Sequence, residues 1–444
     1  MKITYLQNAG IIIENAGEKI LCDPWLIDGC YYGAWHHYPK FEFNPKEFEN
    51  INYIYLSHIH PDHFDVKTLS QLRKDIPVLI HKFPQNYFKQ NIEELGFKVE
   101  EISHNKRTKL DKTWINIIAA DNCDPEICSR AFGCNFGFNQ FGTNQLDTFS
   151  VFDNDDQVIV NSNDCPFEIG QNTAKIIKKQ YSKIDLLLVG YTGASDYPCS
   201  YDLELPEKER VAKLKKDKRL QNAADYIEIF NPKYYLPFAG RYVLGGKLTS
   251  LMKHKGESTL DEGFDYLLHS VDQQKNKGII LNMKSYFDLD TELSSDTYIP
   301  ENESDRENYI QNVLSTLKLD YENDSFPTLD VLLDLIPKAY DRFEHHRKMI
   351  NYSSDNVILI KLNEEKILLI TVNGLGFKII NMSEFKNFQK YLFLSLDSRL
   401  FYEILQTPKK AHWNNAEIGC HISWKRVPNI YDQSLMYCLN FFHS

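Results

Sequence analysis

Hydrophobic positions over the first 240 residues follow two periods, one typical of strands and one typical of helices. A polar turn at residues 14–19 between two apolar runs predicts a β-hairpin. Strand patterns cover residues 2–7, 10–26, 51–57, 77–83, 98–103, 113–122, 148–165, 184–192 and 233–240. Helical patterns lie between them at residues 66–76, 85–97, 172–182 and 206–230. Sheets interleaved with helices in this way predict an α/β sandwich.

The pattern changes near residue 285. Residues 287–308 are polar and acidic, which predicts a linker or an exposed loop. Further on come helical patterns at about 305–318 and 328–350, three short strand patterns between 356 and 382, and a last helix. We therefore predict two domains, residues 1–285 and a smaller C-terminal α+β domain at residues 300–444.

Composition narrows the function classes. The 444 residues exceed one ordinary core, and 43% hydrophobic content supports two packed domains. A net charge of −11 without a basic block argues against a nucleic-acid partner. No run reaches the roughly 18 apolar residues of a membrane span, and the N-terminus lacks a signal-peptide pattern. Nine scattered cysteines without a C-x-x-C pair predict a reduced, cytoplasmic chain.

The strongest chemical signal follows the strand pattern at residues 51–57. His58, His60, Asp62 and His63 occur within six positions. Neutral imidazoles and carboxylates are the ligands that bind zinc, iron or manganese. Two histidines separated by one residue can turn both rings to one side, and the Asp-His pair that follows can face a second ion. The cluster therefore predicts a metal site.

The stretch SHIHPDHFD, residues 57–65, resembles the signature of the metallo-β-lactamase superfamily. The resemblance implies an αββα sandwich with one or two metal ions between the sheets. It assigns His58 and His60 to the first metal, Asp62 and His63 to the second, and a bridging role to Asp164. A carboxylate suits that role because its two oxygens can span two ions about 3.5–4 Å apart.

At two positions where the hydrolytic members of the superfamily have a ligand histidine, this sequence has none. Only His81 and His104 lie between His63 and Asp164, and neither ends the strand that should carry the first site's third histidine. That strand's end offers Asp121, Asp124 and Glu126 instead. After the last predicted strand of the sandwich stand Ala239, Gly240 and Arg241, again without a histidine. The expected ligand set is therefore richer in carboxylate than a hydrolytic zinc pair.

Several segments together resemble the metallo-β-lactamase-like part of the CMP-N-acetylneuraminate hydroxylase family. In that family the counterpart of Asp124-Pro-Glu126 reads His-Pro-Glu, which favours Glu126 as the ligand over Asp124. The family's Rieske iron–sulfur domain has no counterpart in this sequence, so the resemblance implies a separate electron-donor protein. The similar segments are residues 22–39, 55–65, 124–129, 160–166, 191–202, 231–243 and 412–443.

Six further residues are candidates for a supporting or substrate role, each with a structural alternative. Asp23 is expected to hydrogen-bond a ligand histidine or to stabilise a turn. Trp35 and His37 line the pocket mouth or are plain surface aromatics. The remaining expectations are a substrate-side loop for Ser195 and Asp196, and either anion binding or an exposed salt bridge for Arg241.

These signals predict a two-metal enzyme, with iron favoured and manganese or zinc as the other choices. The resemblance implies an oxygenase or hydroxylase of a polar, anionic small molecule such as a nucleotide sugar or a biosynthetic intermediate. Asp62 and Asp164 would carry catalysis. One alternative is a metal-dependent hydrolase of a phosphate, ester or lactone bond, because a metal-bound hydroxide uses the same cage. The other is a non-catalytic binding protein that kept the fold.

Overall fold

The computed structural model describes residues 1–124, 126–127, 147–240 and 242–444. Within them, two large sheets face each other. The first has eight strands in the order β17-β16-β1-β2-β3-β5-β6-β7, and the second has seven in the order β15-β13-β12-β11-β10-β9-β8. Its strands are β15 (Lys277–Gly278), β13 (Tyr234–Phe238), β12 (Leu186–Gly190), β11 (Val158–Asn161), β10 (Thr148–Asp153), β9 (Trp114–Ala119) and β8 (Thr108–Lys109).

The first sheet starts from the predicted hairpin. Its strands are β1 (Lys2–Gln7), β2 (Gly10–Asn15), β3 (Glu18–Cys22), β5 (Tyr53–Tyr55), β6 (Val78–His81), β7 (Val99–Ile102), β16 (Tyr286–Asp288) and β17 (Leu293–Ser294). Ala16 and Gly17 connect β2 to β3 with φ values of 48° and 86°, as a tight hairpin turn of positive φ requires.

Apolar side chains of both sheets interlock to form the central core. Ile11, Ile13 and Ile20 of the first sheet and Ile117 and Leu188 of the second are fully buried in one cluster. Helices cover the outer face of each sheet, which completes an αββα sandwich and confirms the predicted fold class. The covering helices are Val66–Gln71 and Tyr87–Glu94 on the first sheet and Phe167–Gln180, Leu205–Phe230 and Leu260–Ser270 on the second.

The polar stretch expected to be a linker contributes strands to the sandwich. Ile3 of β1 pairs with Phe287 of β16, and Phe287 is 4% exposed. The first sheet therefore continues past residue 285. The physical reason is that Phe287 and Leu289, two residues apart, are both buried in the central core, which an extended backbone allows.

The C-terminal part has its own five-stranded sheet in the order β20-β19-β18-β21-β22. Its strands are β18 (Val357–Lys361), β19 (Lys366–Thr371), β20 (Phe377–Asn381), β21 (Tyr391–Ser395) and β22 (Ser423–Val427). Its core is continuous with Trp25, Trp35 and Tyr242 of the sandwich loops. Its helices are Glu303–Asn312, Leu329–Met349, Ser398–Gln406, Trp413–Ile418 and Gln433–Leu439.

A two-stranded sheet joins β4 (Trp35–His36) to β14 (Val243–Leu244) beside the junction of the two parts. Among the described helices, none is both long enough and apolar enough to span a bilayer.

Candidate metal centre

The histidine-rich loop leaves β5 and enters the helix Val66–Gln71. The backbone N–H groups of His63 and Phe64 both donate to the carbonyl of His60, at 3.0 and 2.8 Å. This tight turn returns the chain so that several of its side chains face one point. Asp65 then caps the helix by accepting from the N–H groups of Lys67 and Thr68.

A first group of donor atoms combines two histidines with one aspartate. His58 Nε2 lies 2.8 Å from His60 Nδ1 and 3.3 Å from Asp147 Oδ1. Burial and the neighbouring imidazoles lower the pKa of His58, and burial lowers that of His60. Both rings are therefore neutral near pH 7, the state in which imidazole binds a metal.

A second group lies beside the first. His63 Nε2 is buried, makes no hydrogen bond within the described residues, and lies 3.6 Å from Asp62 Oδ2 and 3.3 Å from Asp164 Oδ2. His58, His63 and Asp164 also form a group whose donor atoms lie within 4.8 Å of one another. The two groups therefore share one small volume, as a dinuclear centre requires.

The electrostatics of the cluster fit bound cations. Burial opposes a charged His63, but Asp164 and Asp62 outweigh it and raise its pKa well above the ordinary value. Burial and the charge of Asp164 raise the pKa of Asp147 to about 8. In the absence of metal, His63 and Asp147 therefore tend to hold protons, and bound metal cations would replace these protons.

A partner orients the second nitrogen of each ligand histidine. Asp23 Oδ2 lies 3.1 Å from His63 Nδ1, and its Oδ1 accepts the Ser57 N–H at 2.8 Å. Ser57 Oγ is 2.9 Å from His58 Nδ1. Asn414 Oδ1, from the C-terminal part, is 3.1 Å from His60 Nε2. Such partners fix the ring and the tautomer of a metal ligand.

The carboxylate of Asp62 also has fixed neighbours. The Tyr31 hydroxyl donates to Asp62 Oδ1 at 2.6 Å, and Asn8 Nδ2 donates to Oδ2 at 3.4 Å. Burial raises the pKa of Tyr31, so the hydroxyl keeps its proton and remains a donor. Oδ2 is therefore the oxygen that faces His63.

Among the described residues, Asp147 lies with His58 and His60 in the first group, and Asp124 and Glu126, the predicted ligands, do not. Asp124 Oδ1 accepts a hydrogen bond from the backbone N–H of Glu126 at 2.8 Å, so this carboxylate oxygen is used within a local turn. The side chain of Glu126 is exposed. Sequence reasoning missed Asp147, which stands directly before β10. The pairing of β10 with β9 explains its position. Thr148 of β10 lies opposite Ala119 at the end of β9, which is where the sequence predicts a ligand.

The other sequence candidates divide by location. Trp35 and Ser195 line the cavity described next. His37 is fully buried, with Nδ1 2.7 Å from Asp28 Oδ1, and is not among the described residues that line that cavity. Asp196 is buried and accepts the Trp424 indole N–H at 2.7 Å. Arg241 lies outside the described residues.

A cavity of about 500 Å³ opens over the candidate metal ligands. His60, Asp62, Asp147 and Asp164 form one end of it. The rest of its lining comes from both parts of the chain and includes Trp35, Tyr242, Arg219, Glu417 and Arg426. A volume of this size fits a small organic molecule.

A third group consists of His81, His104 and Cys123. His81 Nε2 faces His104 Nδ1 at 3.2 Å, and His104 Nε2 faces Asn122 Oδ1 at 3.2 Å. This group shares no residue with the other two groups and does not line the cavity over them, so we do not assign it to the same centre.

Two adjoining His/carboxylate groups in the αββα sandwich thus form a candidate two-metal site. Residues 2–146 match the family described as the beta-lactamase superfamily domain.

The sequence matches to known relatives cover about half of this chain. A protein of Mycolicibacterium smegmatis named for a Rieske 2Fe-2S iron–sulfur centre is 26% identical over 244 residues, 54% of this chain and 43% of its own length. The cytidine monophosphate-N-acetylneuraminic acid hydroxylase of Mus musculus is 25% identical over 255 residues, 55% of this chain and 39% of its own length. The chain thus spans less than half of the length of these relatives.

Solved structures resemble the sandwich at low identity. The metallo hydrolase Igni18 of Ignicoccus hospitalis has a TM-score of 0.42 at 11% identity, covering 67% of this chain and 99% of its own. CmlA, a diiron beta-hydroxylase from Streptomyces venezuelae, has a TM-score of 0.40 at 14% identity, covering 64% and 53%.

Proposed function

We propose that this protein is a dinuclear metal-dependent hydroxylase, with iron as its metal, acting on a polar anionic small molecule. The observation that carries the proposal is Asp147 beside His58 and His60, where hydrolytic relatives are expected to have a third histidine. With Asp62 and Asp164, the cage then offers three histidines and three carboxylates. Oxygen-rich ligand sets of this kind suit iron, whereas zinc carries no redox chemistry.

Similarity to a named hydroxylase supports the same reaction class. Iron in such a cage would supply activation of molecular oxygen. Hydroxylation of a C–H bond consumes one O₂, two electrons and two protons, and yields an alcohol and one water. We propose that a separate protein donates the electrons.

The chain's own residues prepare the site. Asp23, Ser57 and Asn414 hold the three ligand rings in place, and the Tyr31 hydroxyl fixes Asp62. Trp35 and Tyr242 stack at a centroid distance of 3.5 Å and form an apolar wall of the cavity. A substrate bound against this wall would displace water from the metal end.

Metal analysis of two isosteric variants tests the proposal. Protein purified without added metal should contain close to two irons per chain. Asp147→Asn should lower iron retention by roughly 10-fold or more, because the amide removes a charged ligand. Glu126→Gln, a matched control in an exposed position, should retain iron as the unchanged protein does. Retention by Asp147→Asn and loss by Glu126→Gln would return the ligand role to Glu126.

The hydrolase alternative uses the same cage. Zinc as the only native metal, with hydrolysis that continues without oxygen, would replace the hydroxylase proposal. Oxygen consumption that depends on a reductant and stops in the His60→Ala variant would support the hydroxylase proposal.

A further inference from the structure

Two arginines line the cavity without a carboxylate partner. Neither Arg219 nor Arg426 has a carboxylate oxygen within 4 Å among the described residues. In contrast, Arg73, Arg107, Arg210, Arg347 and Arg399 each form an ion pair. Acidic residues outnumber basic ones in this chain, 61 to 50, so carboxylates are not scarce. Arg306 and Arg342 also form no ion pair among the described residues, but of these four arginines only Arg219 and Arg426 line the cavity.

Arg219 lies on the helix Leu205–Phe230 and reaches towards the metal end. Its guanidinium packs so closely on Gly193 that a Cβ atom there would lie 2.7 Å from Cζ. Arg219 lines the same cavity as Asp164. Its guanidinium group therefore belongs to the same cavity lining as a candidate metal ligand.

Arg426 lies on β22, in the C-terminal part. Its Cζ is 4.8 Å from the ring centres of both Tyr197 and Tyr201, and its Nε donates to Asn429 Oδ1 at 2.6 Å. Within the described chain, its two terminal amino groups have no hydrogen-bond partner. The two tyrosine rings and the Nε hydrogen bond therefore position the guanidinium group, while its terminal N–H groups can donate to a ligand.

Glu417 is the acidic side chain on the same wall. Desolvation raises its pKa to about 7, and Arg426 opposes that rise. Near neutral pH the carboxyl group is only partly ionised, so it does not neutralise the wall. It can also exchange a hydrogen bond with a hydroxyl group of a ligand.

We propose that the substrate carries two separate oxyanion groups, one bound by Arg219 near the metal ions and the other by Arg426 at the C-terminal part. Each group is a carboxylate or a phosphate, because a planar guanidinium binds either in a bidentate manner. This inference rests on the proposed function, whose substrate class it makes specific. The carbon skeleton between the two anions lies along Trp35 and Tyr242.

Calorimetric titration of the metal-loaded protein tests this assignment. The probes are linear dicarboxylates from succinate to suberate, 3-phosphoglycerate as a mixed dianion, and acetate and inorganic phosphate as single anions. We expect one dianion to bind about 10-fold or more tightly than either single anion. A preference for 3-phosphoglycerate over every dicarboxylate would identify one group as phosphate, and the reverse would identify two carboxylates.

Arginine variants decide which residues bind. Arg219→Gln and Arg426→Gln should each reduce the affinity for the dianion to that for a single anion. Lysine at either position should restore part of the loss, because the charge remains. Arg210→Gln, on the same helix as Arg219 but paired with Glu207 at the surface, should leave binding unchanged. Equal affinity for single anions and dianions, or unchanged binding in both glutamine variants, would overturn the proposal.

Metal content separates this inference from the proposed function. Both glutamine variants should keep the metal content of the unchanged protein, and loss of metal in either would assign that arginine a structural role instead. Arginine-dependent binding of the dianion to metal-free protein would support the inference even if zinc replaced iron as the native metal.

Discussion

The Nε2 atom of His60 lies 3.1 Å from Oδ1 of Asn414, a residue 354 positions further along the chain. The contact joins a candidate metal ligand of the sandwich to the first turn of the helix Trp413–Ile418. His60 Nδ1 faces the metal position, so the amide oxygen of Asn414 accepts the proton on the opposite nitrogen. The C-terminal part thereby sets the tautomer of a ligand that it does not carry.

Asn414→Ala should therefore weaken metal binding without removing a ligand. Loss of the partner frees the His60 ring and its tautomer, and we expect metal affinity to fall roughly 10- to 100-fold. Competition with a chelator measures this change. Asn373→Ala, in an exposed turn of the C-terminal sheet, is the control and should match the unchanged protein. Equal affinities for the two variants would contradict the role of Asn414.

Asp23→Asn addresses the second metal position. The carboxylate lies 3.1 Å from His63 Nδ1 and also holds the Ser57 N–H, and asparagine keeps its shape. Removing the charge makes His63 a weaker ligand, so about one metal per chain should be lost on dialysis, with a roughly 10-fold lower affinity. Metal counts before and after dialysis show the effect. A variant that keeps both ions would limit Asp23 to a turn role.

Glu417 should make the stability of the metal-free protein depend on pH. Its pKa is raised from 4.5 to about 7 in the folded chain, so the folded state holds a proton that the unfolded state has released. The free energy of unfolding should therefore fall as pH rises through this range. Glu417→Gln cannot ionise and should lose less stability between pH 5 and pH 8. Denaturant titrations in the presence of a chelator compare the two, and parallel pH profiles would contradict the shift.

Trp35 should be among the costliest side chains to truncate. It is 1% exposed and stacks on Tyr242 at 3.5 Å with an interplanar angle of 2°. Trp35→Ala removes this contact and leaves a cavity where the sandwich meets the C-terminal part, at a cost of about 3–5 kcal/mol. Leu375→Ala, at a position 82% exposed, should cost almost nothing. Chemical denaturation of the two variants checks the difference.

The sequence predicted those parts of the site that lie close together along the chain. His58, His60, Asp62 and His63 belong to one loop, so their spacing alone indicates a shared ligand role. Asp164 could be added because it ends a strand pattern. The αββα sandwich followed from alternating strand and helix patterns, and the two large sheets with their covering helices confirm it.

Other parts depend on contacts that no local pattern encodes. Asp147 reaches the first group because β10 pairs antiparallel with β9, and its place beside His58 depends on that register. Asn414 reaches His60 only through docking of the C-terminal part. His37 is buried because its ring nitrogen pairs with the Asp28 carboxylate and because Trp25 packs on the ring at a centroid distance of 4.0 Å. Two adjacent histidines in a loop carry no signal of either partner.

The pairing of β1 with β16 has a consequence for the nascent chain during translation. Lys2, Ile3 and Thr4 pair with residues 286–288, which are synthesised more than 280 residues later. Until then the outer edge of β1 is an unpaired strand edge, which can recruit another chain. A fragment ending at residue 285 keeps that edge open permanently, so the ribosome must pass residue 288 before the first sheet can close.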